Sequence, residues 1–201
     1  MEIGANTVGR PATGRELAID PDRGLIEGVP YRPSPNADER PGGVVPDLIV
    51  LHGISLPPAE FGGPWIDALF SNTLDPTAHP SFREAAALRV SAHVLLRRDG
   101  ALTQYVPFHQ RAWHAGTSSY RGRPRCNDFS IGIELEGADE VPYEAVQYAV
   151  LSRLIRSLLE AYPGLSRDRI AGHADIAPGR KTDPGPAFDW HHLMRLLEED
   201  R

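Results

Sequence analysis

The chain has 201 residues, with 27 acidic and 21 basic side chains and a formal net charge of −6. That length suits one domain built on one core, and a negative balance without any basic run argues against a module that binds duplex nucleic acid by neutralising phosphates. Hydrophobic residues at 41% and charged residues at 24% match a globular composition, and no apolar run approaches the roughly 20 residues of a membrane span.

Residues 1–10 carry Glu2, Asn6 and two glycines among isolated apolar side chains, without the basic patch and apolar stretch of a sorting signal, so the expectation is a cytoplasmic protein. Residues 1–45 are rich in Pro, Gly and charge and read as an irregular lead-in, with 1–16 as an extension and the domain proper at 17–201. The run 47–52 (DLIVLH) has the short β-branched character of a buried strand. Residues 54–75 follow, punctuated by Pro57-Pro58 and Gly62-Gly63-Pro64, and predict a long ordered loop of functional use.

Two strand-like runs at 89–96 and 101–106 flank Asp99-Gly100 and predict a β-hairpin. Over 129–135, Ile131, Ile133 and Leu135 alternate with Gly132 and Glu134, the pattern of a strand with two different faces. Residues 142–162 predict the main helix, with a stripe of Val146, Val150, Leu154 and Leu158 widened by Ile155 and Leu159 and stopped by Pro163-Gly164. A short strand closes at His173, and 188–199 predict a terminal helix with Trp190, Leu193, Met194 and Leu197 inward. The order implies an α/β domain around a central mixed β-sheet, packed by helices on one side.

The sequence lacks a dinucleotide-binding Gly-x-Gly-x-x-Gly, a Walker motif, His-Glu-x-x-His and Gly-x-Ser-x-Gly. What remains is polar residues at strand ends. His52 and His173 each close a strand, and Asp183 follows ten residues after His173. Two imidazoles and a carboxylate form an N₂O donor set suited to zinc with an open fourth position, although such dispersed spacing is more often the pattern of unrelated polar residues. Glu134 reads either as a solvated strand carboxylate or as a group in an uncovered cleft. Lys181, two residues before Asp183, reads as a surface lysine unless that loop binds a metal. Cys126 is the only cysteine, which excludes an intramolecular disulfide and a Cys₄ zinc site.

Five segments carry a resemblance: 51–67 (LHGISLPPAEFGGPWID), 89–93 (RVSAH), 111–116 (RAWHAG), 125–137 (RCNDFSIGIELEG) and 172–190 (GHADIAPGRKTDPGPAFDW). Taken in order, they resemble the zinc amidases related to peptidoglycan recognition proteins, and among these the cytoplasmic anhydro-muropeptide amidases. The resemblance implies His52, His173 and Asp183 as ligands of one zinc ion per chain, Glu134 as the catalytic carboxylate and Lys181 as the catalytic lysine. It also implies Arg89, Trp113 and Arg125 as contacts to sugar and stem peptide. The reaction implied is hydrolysis of the amide between 1,6-anhydro-N-acetylmuramic acid and L-alanine, in cell-wall recycling and with an indirect influence on β-lactamase induction. The partner implied is a small muropeptide, with no nucleic acid or membrane, acting on a monomer. Two departures stand out: Gly53 replaces the family's usual asparagine after the first histidine, and Ala174 replaces a frequent cysteine. The competing readings are a non-catalytic muropeptide-binding module and an amidase using Cys126 with His114.

Overall fold

A computed structural model describes residues 17 to 199, so the extension expected at 1–16 lies outside the described residues. The lead-in that follows is more ordered than its composition suggests. Ile19–Asp20 (β1) pairs antiparallel with Leu25–Ile26 (β2), and Ile26 enters the core. The buried Gln104 side chain holds this ribbon in place, accepting from the Ile26 N–H at 2.8 Å and donating to the Gly24 carbonyl at 2.9 Å. Ala37–Glu39 (β3) then runs on to pair with a later strand.

Leu48–Ile54 (β4) forms where the β-branched run predicts it, with Leu48 to Leu51 fully buried. The loop expected at 54–75 is interrupted by a helix, Trp65–Phe70 (α1). Ile66, Leu69 and Phe70 bury together because they stand three and four residues apart, a helical spacing that the surrounding prolines and glycines obscure. A one-turn helix, Phe82–Ala85 (α2), follows. Val94–Leu96 (β5) and Leu102–Gln104 (β6) make the expected hairpin, shorter than the runs that encode it. Its turn uses Gly100 at φ 84°, a left-handed conformation that glycine adopts at no steric cost.

Gln110–Ala112 (β7) pairs antiparallel with β3, and Ser119–Tyr120 (β8) pairs with Arg123–Pro124 (β9) in a small ribbon. Ser130–Glu136 (β10) is buried along its whole length. Ala145–Ala161 (α3) is the main helix; Ile170–Gly172 (β11), His173–Ile176 (α4) and Trp190–Glu199 (α5) complete the described chain.

The central sheet has the order β11-β4-β10-β5-β6, with β11, β4, β10 and β5 parallel and β6 antiparallel. The alternation in β10 is therefore between two buried environments, as expected for an inner parallel strand covered on both faces. One face carries Ile49, Leu51, Ile131, Ile133 and Leu135, which pack against Leu151, Leu154, Ile155 and Leu158 of α3 and Leu193 and Leu197 of α5. Each of those buried aliphatics contributes about 1.5–3 kcal/mol. Val146, at the start of the expected stripe, is instead 41% exposed. It lies over the hairpin turn at Gly100 rather than on the sheet.

The long helices α3 and α5 thus occupy one side as expected, while the short α1 and α2 lie on the other. There they pack on Leu95 in a second cluster with Tyr105 and Val106. Between that cluster and β11, the sheet face beneath His52, Gly132 and Glu134 is left to polar side chains.

Candidate active site

The parallel pairing of β4 with β10 sets Glu134 directly opposite His52, and Gly132 opposite Val50. Residues directly opposite in register share a face of the sheet, so an imidazole and a carboxylate emerge side by side near the carboxyl ends of two inner strands. The third element is β11, which runs parallel to β4 and delivers His173. His173 does not close that strand, as expected from sequence, but opens α4. The Asp175 carboxylate accepts the Gly172 N–H at 2.7 Å, and this turns the chain into the helix. The Ala174 N–H then donates to the Asp183 carbonyl at 2.9 Å, which folds the 180–186 loop back over the strand ends. Tyr143 anchors the far side of that loop, donating its hydroxyl to the Pro184 carbonyl at 2.9 Å.

These contacts bring the three expected ligands together. His52 Nδ1 lies 2.9 Å from His173 Nδ1 and 3.2 Å from Asp183 Oδ2, and His173 Nδ1 lies 3.1 Å from the same oxygen. The outer nitrogens have their own partners. His173 Nε2 meets the Ala115 carbonyl at 3.1 Å, and His52 Nε2 meets His114 Nδ1 at 2.9 Å. A carbonyl can only accept, so His173 carries a proton on Nε2 and turns Nδ1 inward. Burial drives His52 down to about pKa 4, against the pull of Asp183, so it is neutral at pH 7. Burial pushes Asp183 upward, but the two histidine rings against it, His173 and His52, outweigh this and hold its carboxyl well below the usual range. Two imidazoles and a carboxylate whose ligand atoms converge within 4.8 Å fit a divalent cation of borderline softness such as zinc.

Beside this triangle, Glu134 is 9% exposed, and its Oε2 has no hydrogen-bond partner among the described residues. Burial and the negative charge of Asp183 push its carboxyl well above the ordinary range, while Lys181 pulls it down. A carboxylate held this way is a strengthened base with an acceptor oxygen left over. Lys181 is exposed on the same loop as Asp183, near enough to act electrostatically on both Glu134 and His52.

Two clefts flank the centre. One, of about 320 Å³, is lined by Trp113, Gly116, Arg125 and Asn127 with the Asp38–Arg111 pair. Trp113 is held by its indole N–H to Asp38 at 3.2 Å, and Arg125 by an ion pair to Asp128 at 3.1 Å, with a guanidinium side chain that stays 70% exposed. Arg111 spends its charge on Asp38 at 2.6 Å and Asp128 at 2.5 Å. The other cleft, of about 470 Å³, includes Gly53, Ser55, Pro58 and Gly137. A side chain at 53 would collide with the Tyr143 hydroxyl, which occupies the space beside the first histidine. Arg89 lines neither cleft; its guanidinium rests on the carbonyls of Ala86 and Leu88 at 3.3 and 3.2 Å.

Cys126 is buried within an apolar cluster with Leu48, Val50 and Phe129. Burial pushes its thiol up, the opposite of what an activated nucleophile needs. Sequence reasoning missed several supporting residues. His114 was weighed only as a partner for Cys126, whereas it lies against His52. Half-buried Arg40 donates to the carbonyls of Asn127, Asp128 and Ser130 and fixes the segment that follows Arg125. Asn127 in turn accepts the N–H groups of His114 and Ala115 at 3.1 and 2.8 Å. The Trp-His-Ala-Gly run was the available signal for His114; nothing local marks Arg40 or Tyr143.

Comparison with known proteins places this geometry. The profile of the N-acetylmuramoyl-L-alanine amidase family matches residues 42–186. The 1,6-anhydro-N-acetylmuramyl-L-alanine amidase AmpD of Escherichia coli K12 is 58% identical over 179 residues, covering 89% of this chain and 97% of the relative. A crystal structure of an AmpD selenomethionine derivative superposes with a TM-score of 0.87 at 55% identity, covering 90% of this chain and 99% of that one. The amidase AmiD of Escherichia coli, solved as a complex with anhydro-N-acetylmuramic acid-L-Ala-D-γ-Glu-L-Lys, superposes at 0.55 with 30% identity, covering 79% of this chain and 60% of that one.

Proposed function

The chain belongs to the N-acetylmuramoyl-L-alanine amidase family, and on that footing we propose that it cleaves the amide joining the lactyl group of 1,6-anhydro-N-acetylmuramic acid to L-alanine. The observation that carries this is the His52–His173–Asp183 triangle with Glu134 in register beside it, in a chain 58% identical to an amidase named for that bond. His52, His173 and Asp183 would hold one zinc ion, residues 17–201 being the amidase domain. A zinc ion held by these residues would supply a water of pKa lowered towards about 7 and would polarise an amide carbonyl.

The remaining chemistry belongs to the chain. Glu134 takes the proton of the attacking water on its free oxygen and delivers it to the departing alanine nitrogen, which balances the hydrolysis without a covalent enzyme adduct. Lys181 places an ammonium beside the carbonyl oxygen as it gains charge. Trp113 and Arg125 take the substrate in the polar cleft, where the exposed guanidinium pairs with a stem-peptide carboxylate. Arg89 lies outside that cleft and is left to a more distal part of the stem peptide. Among the described residues no helix is long and apolar enough to cross a membrane. We place the enzyme in the cytoplasm, as a monomer that recycles wall fragments. By consuming anhydro-muropeptides it lowers the supply of inducer in bacteria that couple these molecules to β-lactamase.

The test is mass spectrometry of the protein incubated with 1,6-anhydro-N-acetylmuramyl-tripeptide, with and without zinc. Zinc-dependent release of free tripeptide and anhydro-sugar is expected; intact substrate with zinc bound would refute the reading. Glu134→Gln should keep its zinc while turnover falls by roughly 10²–10⁴-fold, and a near wild-type kcat would remove Glu134 from the base role.

A further inference from the structure

The network behind the first histidine is more specific than packing requires. Ser130 Oγ lies 2.6 Å from the Cys126 carbonyl, which can only accept, so the single hydroxyl proton of Ser130 is committed there. Towards His114 Nε2, 3.1 Å away, the serine oxygen can then act only as acceptor, and His114 must carry its proton on Nε2. His114 Nδ1 is consequently bare, and it accepts from His52 Nε2–H at 2.9 Å. His52 Nδ1 is left as a lone pair aimed at His173 and Asp183. Ser130, His114 and His52 are 0%, 8% and 1% exposed, so the chain is closed to solvent substitutes.

We propose that Ser130, acting through His114, is the positioning device that fixes the tautomer of His52 and so presents a bare Nδ1 for metal; this rests on the zinc reading above. A neutral imidazole exchanges freely between its two tautomers in water. Here the alternative tautomer sets two lone pairs facing each other between His52 and His114 and puts a proton where the metal-binding lone pair belongs. His173 is fixed separately by the Ala115 carbonyl, so the relay governs one ligand only.

Nitrogen-resolved NMR of the imidazoles in the metal-free protein tests this directly. His114 is expected with Nε2 protonated and Nδ1 bare, and His52 with Nε2 protonated; a proton on His114 Nδ1 or a bare His52 Nε2 overturns the relay. Zinc affinity, read by competition with a chromogenic chelator, supplies the second arm. His114→Leu should weaken zinc binding by roughly 10–100-fold, the usual effect of losing an outer partner of a ligating histidine. His114→Asn, whose Oδ1 can accept where Nδ1 did, should recover most of that loss. An unchanged affinity in folded His114→Leu, or no recovery in folded His114→Asn, counts against the relay. Wild-type protein that binds no zinc would sink the metal reading instead, and the tautomers alone would then judge the relay.

Discussion

Gly132 is a glycine because His114 lies across it: a Cβ built there would stand 2.6 Å from the Cδ2 and Nδ1 atoms of the imidazole. Both groups are buried, so Gly132→Ala must displace either the ring or the strand. A loss of about 1–3 kcal/mol is expected from such overpacking, measured by urea denaturation. Zinc affinity should fall in the same variant, because the displaced ring is the one that touches His52. Asp183→Asn should act differently, weakening metal binding while leaving the metal-free stability nearly unchanged. At this scale the sequence was uneven in what it disclosed. His52, His173, Asp183 and Glu134 were legible as candidates only through the resemblance of the longer motifs around them, since dispersed polar residues at strand ends have many ordinary uses. His114, Tyr143 and Arg40 act through contacts made across 62, 41 and about 90 residues of chain, and no neighbouring residue betrays them.

Among the elements, α3 and β10 were the most readable, since both carry long periodic patterns. The stripe on α3 was nevertheless read one turn too far. Leu154, fully buried against the sheet, should cost about 2–5 kcal/mol when changed to Ala, whereas exposed Val146→Ala should stay within about 0.5 kcal/mol. Equal effects at the two positions would place the helix in a different rotation on the sheet. What the pattern concealed at the front of α3 is polar. Gln147 accepts the Glu144 N–H at 3.0 Å and donates to the Glu136 carbonyl at 3.0 Å, tying the start of the helix to the end of the strand that carries Glu134. Conversely α1 escaped notice because its three buried residues are set among prolines and glycines, where a short amphipathic signal is outweighed.

For the molecule as a whole, the candidate ligands tie together β4, the start of α4 and the loop after it, so a bound ion should brace the fold as well as serve the chemistry. At zinc concentrations about 100 times its Kd, the stabilisation is about 2.7 kcal/mol. For a chain of this size that corresponds to a Tm rise of roughly 5–10 °C over chelator-treated protein, read by calorimetry. Asp183→Asn should largely abolish the shift; an equal shift in wild type and variant would mean zinc acts elsewhere. The mixed sheet and its central strands were legible from the order of elements, but strand order was not, because parallel neighbours are chosen by packing between segments far apart in sequence. That same strand order bears on how the protein is made. His52 and Glu134 become neighbours only after the intervening chain has folded between them, and Asp183 is the last of the candidate ligands to be made. A ribosome-bound chain halted before residue 183 therefore lacks a complete donor set whatever else it has folded, so hydrolysis should begin abruptly once that residue has emerged, rather than rise in proportion to length.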